Sequence, residues 1–527
     1  MLPRPADPHA GVRRFEGYDR ARGVHDRCEV AVVGSGPGGA VAAKELAEAG
    51  LDVVLLEEGT PLDARDFVQE AGESMQRTLR EGGSRATRGN VVMPTMQAIA
   101  LGGGSVINSA ICARPPAWVL ERWSERAGTD ALGRAALDPH FDRVEAQLGV
   151  APTPAEVQGE RNLRFKRGCD ALGITSEPTW RNVQSCLGSA ECFTGCRNGA
   201  KRSVDVSYVP AAMRAGARVY TSVRIERVTR DGRRATGVRG RIVEPFAHAS
   251  GGAGGSAGRT HGEVRIDADV VVLAAGCMAT PLLLERSGIG ERSGWVGRDL
   301  RFHPGLAVMA VFPERIDPWK GATQGYHSLH YLREGLKLEV LWSPPAVLAA
   351  RLPGIGHEYQ EHLLRYDHMA PFDVICAADR SSGEVRARGD ALEPEIRFHF
   401  HQDDVALMQR GLGILAEICW AAGAEAILPG LHGVPDVVRS RREAEAITRT
   451  PLRAEDTITA ANHAFCSTRM GRTEREGVVD AAGRCHDTDN VYVVDTGIFP
   501  SSPGVNPMLT CMALADRIAL GIAASRP

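Results

Sequence analysis

Apolar positions arrive in short blocks at the start of the chain and again at its end. CEVAVVGSG, residues 28–36, is a β-branched run that stops at glycines. An alanine-rich stretch of helical period follows, and then the apolar block LDVVLLEEG, residues 51–59. Strand, helix and strand within about 30 residues is the size of a βαβ unit, and it predicts the right-handed crossover of a parallel sheet. ADVVVLAAG, residues 268–276, and VYVVD, residues 491–495, read as further buried strands of the same kind. Residues 118–150 read mostly as helix, and residues 217–244 as strands joined by a turn at Asp231–Gly232. Residues 306–460 change character. EIRFHFHQ, residues 395–402, alternates as a half-buried antiparallel strand does, and residues 405–424 form an amphipathic helical pattern. The glycine-rich stretch 251–262 predicts a mobile hairpin loop, and residues 1–27 a polar leader.

A chain of 527 residues predicts two or more cores. A net charge of −3, from 62 basic and 65 acidic residues, gives no electrostatic case for a nucleic-acid partner. No apolar segment reaches the roughly 18 residues of a transmembrane helix, and the amino terminus lacks a signal-peptide core. The expected location is cytoplasmic, with monotopic membrane contact left open. The 12 cysteines are scattered, which is not the pattern of a disulfide framework.

Gly34, Gly36 and Gly39 form G-x-G-x-x-G between the first strand and its helix. The first glycine suits the tight turn, the second close approach of a pyrophosphate, and the third helix–strand packing. The helix start favours phosphate charge. Glu57 closes the second strand, where a carboxylate is placed to accept ribose hydroxyls. His463, in HAFCSTRMG, is a candidate base, since a neutral imidazole titrates near working pH and takes an alcohol proton as hydride departs.

These features, with GGGSVIN (residues 102–108), GCMATPLLLERSGIG (276–290), VGRDLRFHP (296–304) and VNP (505–507), make the chain resemble the glucose–methanol–choline (GMC) flavoprotein oxidoreductases over nearly its whole length. The resemblance implies a doubly wound α/β FAD-binding domain from residues 28–116, 198–305 and 463–527. It also implies a substrate domain, with an antiparallel sheet and helices, from residues 117–197 and 306–462. It implies oxidation of an alcohol to a carbonyl by hydride transfer to flavin N5, with oxygen, a quinone or a redox protein as acceptor. His463 would be the base, and Asn506 would hold the substrate oxygen. Gly102, Gly103, Ser105, Asn108, Val223, Asp495, Asn506 and Pro507 would join Gly34, Gly36, Gly39 and Glu57 around FAD. Val223 would act through its backbone against adenine. Ile107 stands where some relatives carry a flavin-attaching histidine, so the FAD would be non-covalent. Cys277 and Cys466 replace residues that are usually small, and His303 reads as a packing or hydrogen-bonding histidine.

Cys186, Cys192 and Cys196 form C-x5-C-x3-C. Two branches of the family carry cysteines here: oxidases of long or bulky alcohols, and sugar dehydrogenases in which three thiolates hold an iron–sulfur cluster. The residues leave open a [3Fe–4S] site, zinc, a disulfide or a reduced loop. An apolar or bulky alcohol is the expected substrate. An iron–sulfur sugar or polyol dehydrogenase and a flavin lyase or decarboxylase are the alternatives.

Overall fold

The computed structural model describes residues 7–246, 260–341, 344–389 and 392–525. Two sheets divide most of the work. In the first, strands Arg218–Tyr220, Val53–Leu56, Val24–Val33, Thr260–Leu273 and Val491–Val493 run parallel in that order, and the antiparallel hairpin Val223–Asp231 and Arg234–Val243 extends it through Thr260–Leu273. The valine-rich runs of the parallel strands are buried almost without exception, as a sheet covered on both faces requires. Helix Pro37–Glu48 packs on this sheet and against helices Tyr208–Arg214 and Met508–Ala524, so the two ends of the chain share one core.

The second sheet is antiparallel, in the order Ala426–Leu428, Gly305–Val311, Met369–Cys376, Leu336–Val340, Tyr326–Ser328 and Glu177–Pro178. Helix Gln402–Ala421 covers one face, where Val374 and Leu336 abut Gly411 so closely that a Cβ there would lie 2.6 Å from Val374. By the two-residue period of a strand, Lys337, Glu339, Asp373 and Ile375 turn to the opposite face. A third sheet, in the order Ala464–Phe465, Arg298–Phe302, Ser382–Ala387, Pro394–His399 and Arg88–Gly89, ties the other two together. The fold is therefore mixed α/β, with a parallel dinucleotide-type sheet and an antiparallel second sheet.

Several local expectations shift. The first strand begins at Val24, four residues before the expected Cys28, because Val24–Cys28 pairs in register with Val264–Ala268. The leader is also not detached: Arg13 donates its N–H to Val219 and bridges to Tyr220. The helical stretch 118–150 is broken into Ala117–Ala127 and Arg134–Leu148, the first ending on left-handed Gly128. Of the glycine-rich stretch 251–262, residues 251–259 lie outside the described residues and 260–262 belong to the strand Thr260–Leu273. Among the described residues no helix is long and apolar enough to cross a membrane.

One close approach joins the chain's ends directly. A Cβ at Gly38 would lie 1.9 Å from the Val494 carbonyl oxygen, a rigid backbone atom. Gly38→Ala is expected to cost about 2 kcal/mol or more, because helix and strand must separate. Thermal unfolding in excess FAD measures this, and an unchanged melting temperature would show that the contact is not limiting.

Candidate active site

The parallel sheet ends in a cavity of about 1020 Å³ that reaches across to the polar face of the second sheet. Gly34, at φ +98°, makes the turn after the first strand. A Cβ at Gly36, Gly104 or Gly276 would meet nothing within 4 Å, and all three line the cavity, so the wall is bare backbone there. The start of helix Pro37–Glu48 opens onto the same space and presents its unpaired N–H groups to an anion. This cradle fits a dinucleotide pyrophosphate.

Glu57 lines the cavity, but its carboxylate already accepts from Ser35 N (2.9 Å), Ser35 Oγ (2.6 Å) and Gly59 N (2.7 Å). It thus braces the glycine turn while keeping about one lone pair, on Oε1, for a ribose. Burial pushes its pKa up, against the pull of those donors. Asp495 accepts from Gly276 N (3.0 Å), Thr280 Oγ1 (2.5 Å) and Gly497 N (2.8 Å), so it caps the turn Thr496–Ile498 and anchors the loop before helix Thr280–Arg286. Gly103, Asn108, Val223, Asn506 and Pro507 also line the cavity.

Three expected ligand-binding positions stand behind the wall instead. Gly39 is where helix meets turn, since a Cβ would lie 1.9 Å from the Gly34 carbonyl oxygen. Gly102 is left-handed at φ +96° and donates its N–H to Ser35 Oγ at 2.9 Å. Ser105 is fully buried, donating to the Gly102 carbonyl (2.7 Å) and accepting from Val204 N (3.1 Å). They shape the cavity without facing it. The Val223 N–H is likewise committed, to the Glu57 carbonyl at 2.9 Å, which leaves its side chain and carbonyl for a nucleotide.

At the far end His463 and Asn506 meet: Asn506 Nδ2 lies 3.3 Å from His463 Nε2. The meeting follows from strand register. Arg301 pairs with Phe465 and Phe302 with Ala464, so the next residue on one strand, His303, lies beside the preceding residue on the other, His463. Their Nδ1 atoms are 3.3 Å apart, and His303 Nε2 is 2.8 Å from Ser502 Oγ. With His463 Nε2 free to accept, its Nδ1–H donates to His303, whose Nε2–H donates to Ser502. His303 therefore supports the candidate base, a role its sequence context did not reveal.

His463 lines the cavity, and loss of solvent lowers its pKa to about 4, with Glu339 opposing and Lys337 reinforcing the shift. Burial, His463 and Lys337 hold His303 well below the usual histidine range. Both rings are neutral at neutral pH.

The second sheet contributes residues that the motifs missed. Lys337 donates to Asn506 Oδ1 at 2.6 Å and to the Glu339 carboxylate, and Gln324 Nε2 donates to the other Glu339 oxygen at 2.6 Å. Burial opposes ionisation of Glu339, but Lys337 wins and lowers its pKa. Asp373 pairs directly opposite Glu339 and lies over Gly305. Burial and then the Glu339 charge push its pKa up to about 8, against Arg351 and Lys337. The sequence signal was present in LKLEV, a polar alternation within a fully buried strand.

The three expected cluster cysteines line a second, much smaller cavity of about 10 Å³, room for about one water. Among the described residues no group of three or more His, Cys, Asp or Glu is arranged to hold a metal ion. Arg181 Nη2 donates to Cys192 Sγ at 3.0 Å, and Lys201 donates to the carbonyls of Val106, Asn108 (3.0 Å) and Cys192 (2.9 Å). Burial resists ionisation of Cys192, yet Arg181 and Lys201 outweigh it and lower its pKa. Cys277 lines the main cavity, its thiol pushed up to about 12 by burial, and Cys466 is fully buried with φ +75°.

A dinucleotide cradle opening onto a desolvated imidazole–amide pair defines a cofactor-dependent oxidoreductase. Residues 75–305 and 379–515 match the amino- and carboxy-terminal parts of the GMC oxidoreductase family, and residues 27–80 match an FAD binding domain. The chain is 34% identical, over 94% of its length and 75% of the relative's, to an uncharacterised GMC-type oxidoreductase of Mycobacterium tuberculosis (strain ATCC 25618 / H37Rv). It is 30% identical, over 93% of its length and 66% of the relative's, to long-chain-alcohol oxidase FAO4B of Arabidopsis thaliana. Its fold is similar to that of pyridoxine 4-oxidase from Mesorbium loti, with a TM-score of 0.72 at 18% identity, covering 95% of this chain and 100% of that one. The chain belongs to the GMC oxidoreductase family, and is an FAD-dependent oxidoreductase acting on CH–OH donors.

Asp373 yields a stability prediction. Its folded pKa of about 8 exceeds the ordinary carboxyl value, so the folded state holds a proton that the unfolded chain releases. Stability therefore falls as pH rises from about 4 toward 8 and levels off above, by about 1.4 kcal/mol per pH unit at most. Asp373→Asn should remove that loss. Its melting temperature relative to the parent should climb between pH 5 and pH 8, and a difference independent of pH would contradict the assignment.

Proposed function

We propose that this enzyme oxidises an alcohol with an apolar or bulky body to the carbonyl compound, with His463 as base and Asn506 holding the substrate oxygen. The observation that carries this reading is the 3.3 Å approach of the Asn506 amide to the free nitrogen of a neutral His463, inside the cavity that the FAD cradle opens into. FAD bound there supplies the hydride-accepting chemistry. The glycine turn, Glu57, Asn108 and the Asp495 loop would hold it, without a covalent bond because Ile107 has no nucleophile.

His463 Nε2 takes the hydroxyl proton, and the charge that arrives on the ring is shared with His303 through Nδ1–H. The Asn506 N–H stabilises negative charge on the substrate oxygen. Val92, Leu341, Pro344, Val347 and Ile458 add apolar surface to the lining, which supports a substrate with a hydrocarbon body. The relationship to long-chain-alcohol oxidases points the same way.

His463→Ala should slow anaerobic flavin bleaching by an alcohol about 10²- to 10⁴-fold with FAD content unchanged. Because its pKa is lowered, His463 is the unprotonated base across neutral pH, so the bleaching rate should be flat there and fall toward pH 4 as the ring protonates. Bleaching at the parental rate in the alanine variant would remove His463 from the mechanism. Comparing peroxide formed under air with turnover on a quinone or dye separates oxidase from dehydrogenase.

A second reading is a sugar or polyol dehydrogenase with an iron–sulfur cluster. It is supported by the polar wall of Gln324, Glu339 and Asp373 and by the convergence of three cysteines on one cavity. That cavity as folded has no room for a cluster. Anaerobic purification followed by iron and acid-labile sulfide assay tests it: about three irons per flavin would establish this reading, and flavin without iron would leave the cysteines as a reduced loop.

A further inference from the structure

Lys337 is 1% exposed, on a strand whose neighbouring leucines are buried in the core beneath helix Gln402–Ala421. Burying an ammonium costs several kcal/mol unless it is paired and fully hydrogen-bonded. Here it is paired twice, to Glu339 and to Asn506 Oδ1. The second contact has a chemical consequence. An ammonium only donates, so the atom of the Asn506 amide that faces it must be the oxygen. Nδ2 is thereby turned toward His463 Nε2, where the substrate oxygen must come. An amide free to rotate would present either atom, and a carbonyl oxygen in that place would repel a developing alkoxide.

We propose that Lys337 is a positioning residue for the reaction: it locks the Asn506 amide so that N–H donors, not the carbonyl, meet the substrate oxygen, with Glu339 neutralising the ammonium. The inference rests on the alcohol-oxidising reading of the site. Glu339 is itself fixed by Gln324, which keeps the pair from swinging away from Asn506. Asp373 and His327, which pair with Glu339 from its two neighbouring strands, Arg351 beyond Asp373, and the neutral pair His303 and His463 are the other ionisable groups near this corner.

The test is a double-mutant cycle on the anaerobic rate of flavin reduction at saturating alcohol. It compares the parent, Asn506→Ala, the neutral pair Lys337→Met with Glu339→Gln, and all three substitutions together. Replacing both charges avoids leaving Glu339 buried alone. Each single arm is expected to lose about 10²-fold, the usual cost of an oxyanion donor. The combined variant should be no slower than Asn506→Ala, because Lys337 has nothing left to orient. Losses that multiply would overturn the inference while leaving His463 and Asn506 in place. Asn506→Asp serves where the neutral pair fails to retain FAD. It keeps the contact with Lys337 but offers no N–H, and should be as slow as the alanine variant. A parental rate in the aspartate variant would overturn the inference. A parental rate in Asn506→Ala would sink the reading of the site as well.

Discussion

A two-residue antiparallel pairing, Arg301 with Phe465 and Phe302 with Ala464, is the constraint on which the site depends. It is short, but it joins the carboxy-terminal segment to the sheet that bridges the two larger ones. The register places His303 beside His463 and delivers both to the cavity. A slip of one residue would reverse every side chain and turn His463 away from Asn506. The surrounding contacts protect that register: the His303 N–H donates to the His463 carbonyl (3.3 Å), and Gly305 and Ala460 exchange backbone hydrogen bonds just beyond.

Desolvation then sets the chemistry. Burial keeps His463 neutral, so the base of the proposed mechanism needs no prior deprotonation. A base with so low a pKa holds a proton weakly, which favours its return to solvent after turnover. During the reaction the imidazolium needs a partner. His303 supplies a lone pair, and Glu339 supplies negative charge that Lys337 only partly cancels. The buried pair thus performs two tasks that water would perform badly: orienting an amide and tempering a transient charge.

Backbone requirements were legible in the chain, and long-range register was not. Gly34 could be read because a left-handed turn admits few other residues, and the valine runs because strands covered on both faces need them. Gly39 packs helix against turn, as its place in the motif predicts, whereas Gly102 and Ser105 stand behind the cavity wall, a distinction that spacing does not carry. Lys337, Glu339 and Asp373 escaped for another reason. Alternating polar residues on a strand ordinarily mean solvent on one face, and a ligand cavity produces the same pattern. His303 read as a packing or hydrogen-bonding histidine, and it is hydrogen-bonded, but its partner could not be named because it lies 160 positions away in sequence.

The polar wall and the apolar mouth need not be rival signals about substrate. Lys337 and Glu339 spend their charges on each other and on Asn506, so little of their polarity reaches a ligand. Asp373, with its raised pKa, is largely uncharged at neutral pH and presents a carboxylic acid to the cavity. A neutral acid asks for a hydrogen-bonding partner but not for a counter-ion. An alcohol with an apolar body entering beside Glu339 therefore meets a carboxylate already paired with Lys337, while Arg351 is a cation on the lining whose printed contact is the Ile458 carbonyl. A second hydroxyl on that body would gain one hydrogen bond where a polyol would seek several. The pairing of Lys337 with Glu339 is thus compatible with the hydrocarbon-bodied substrate proposed above.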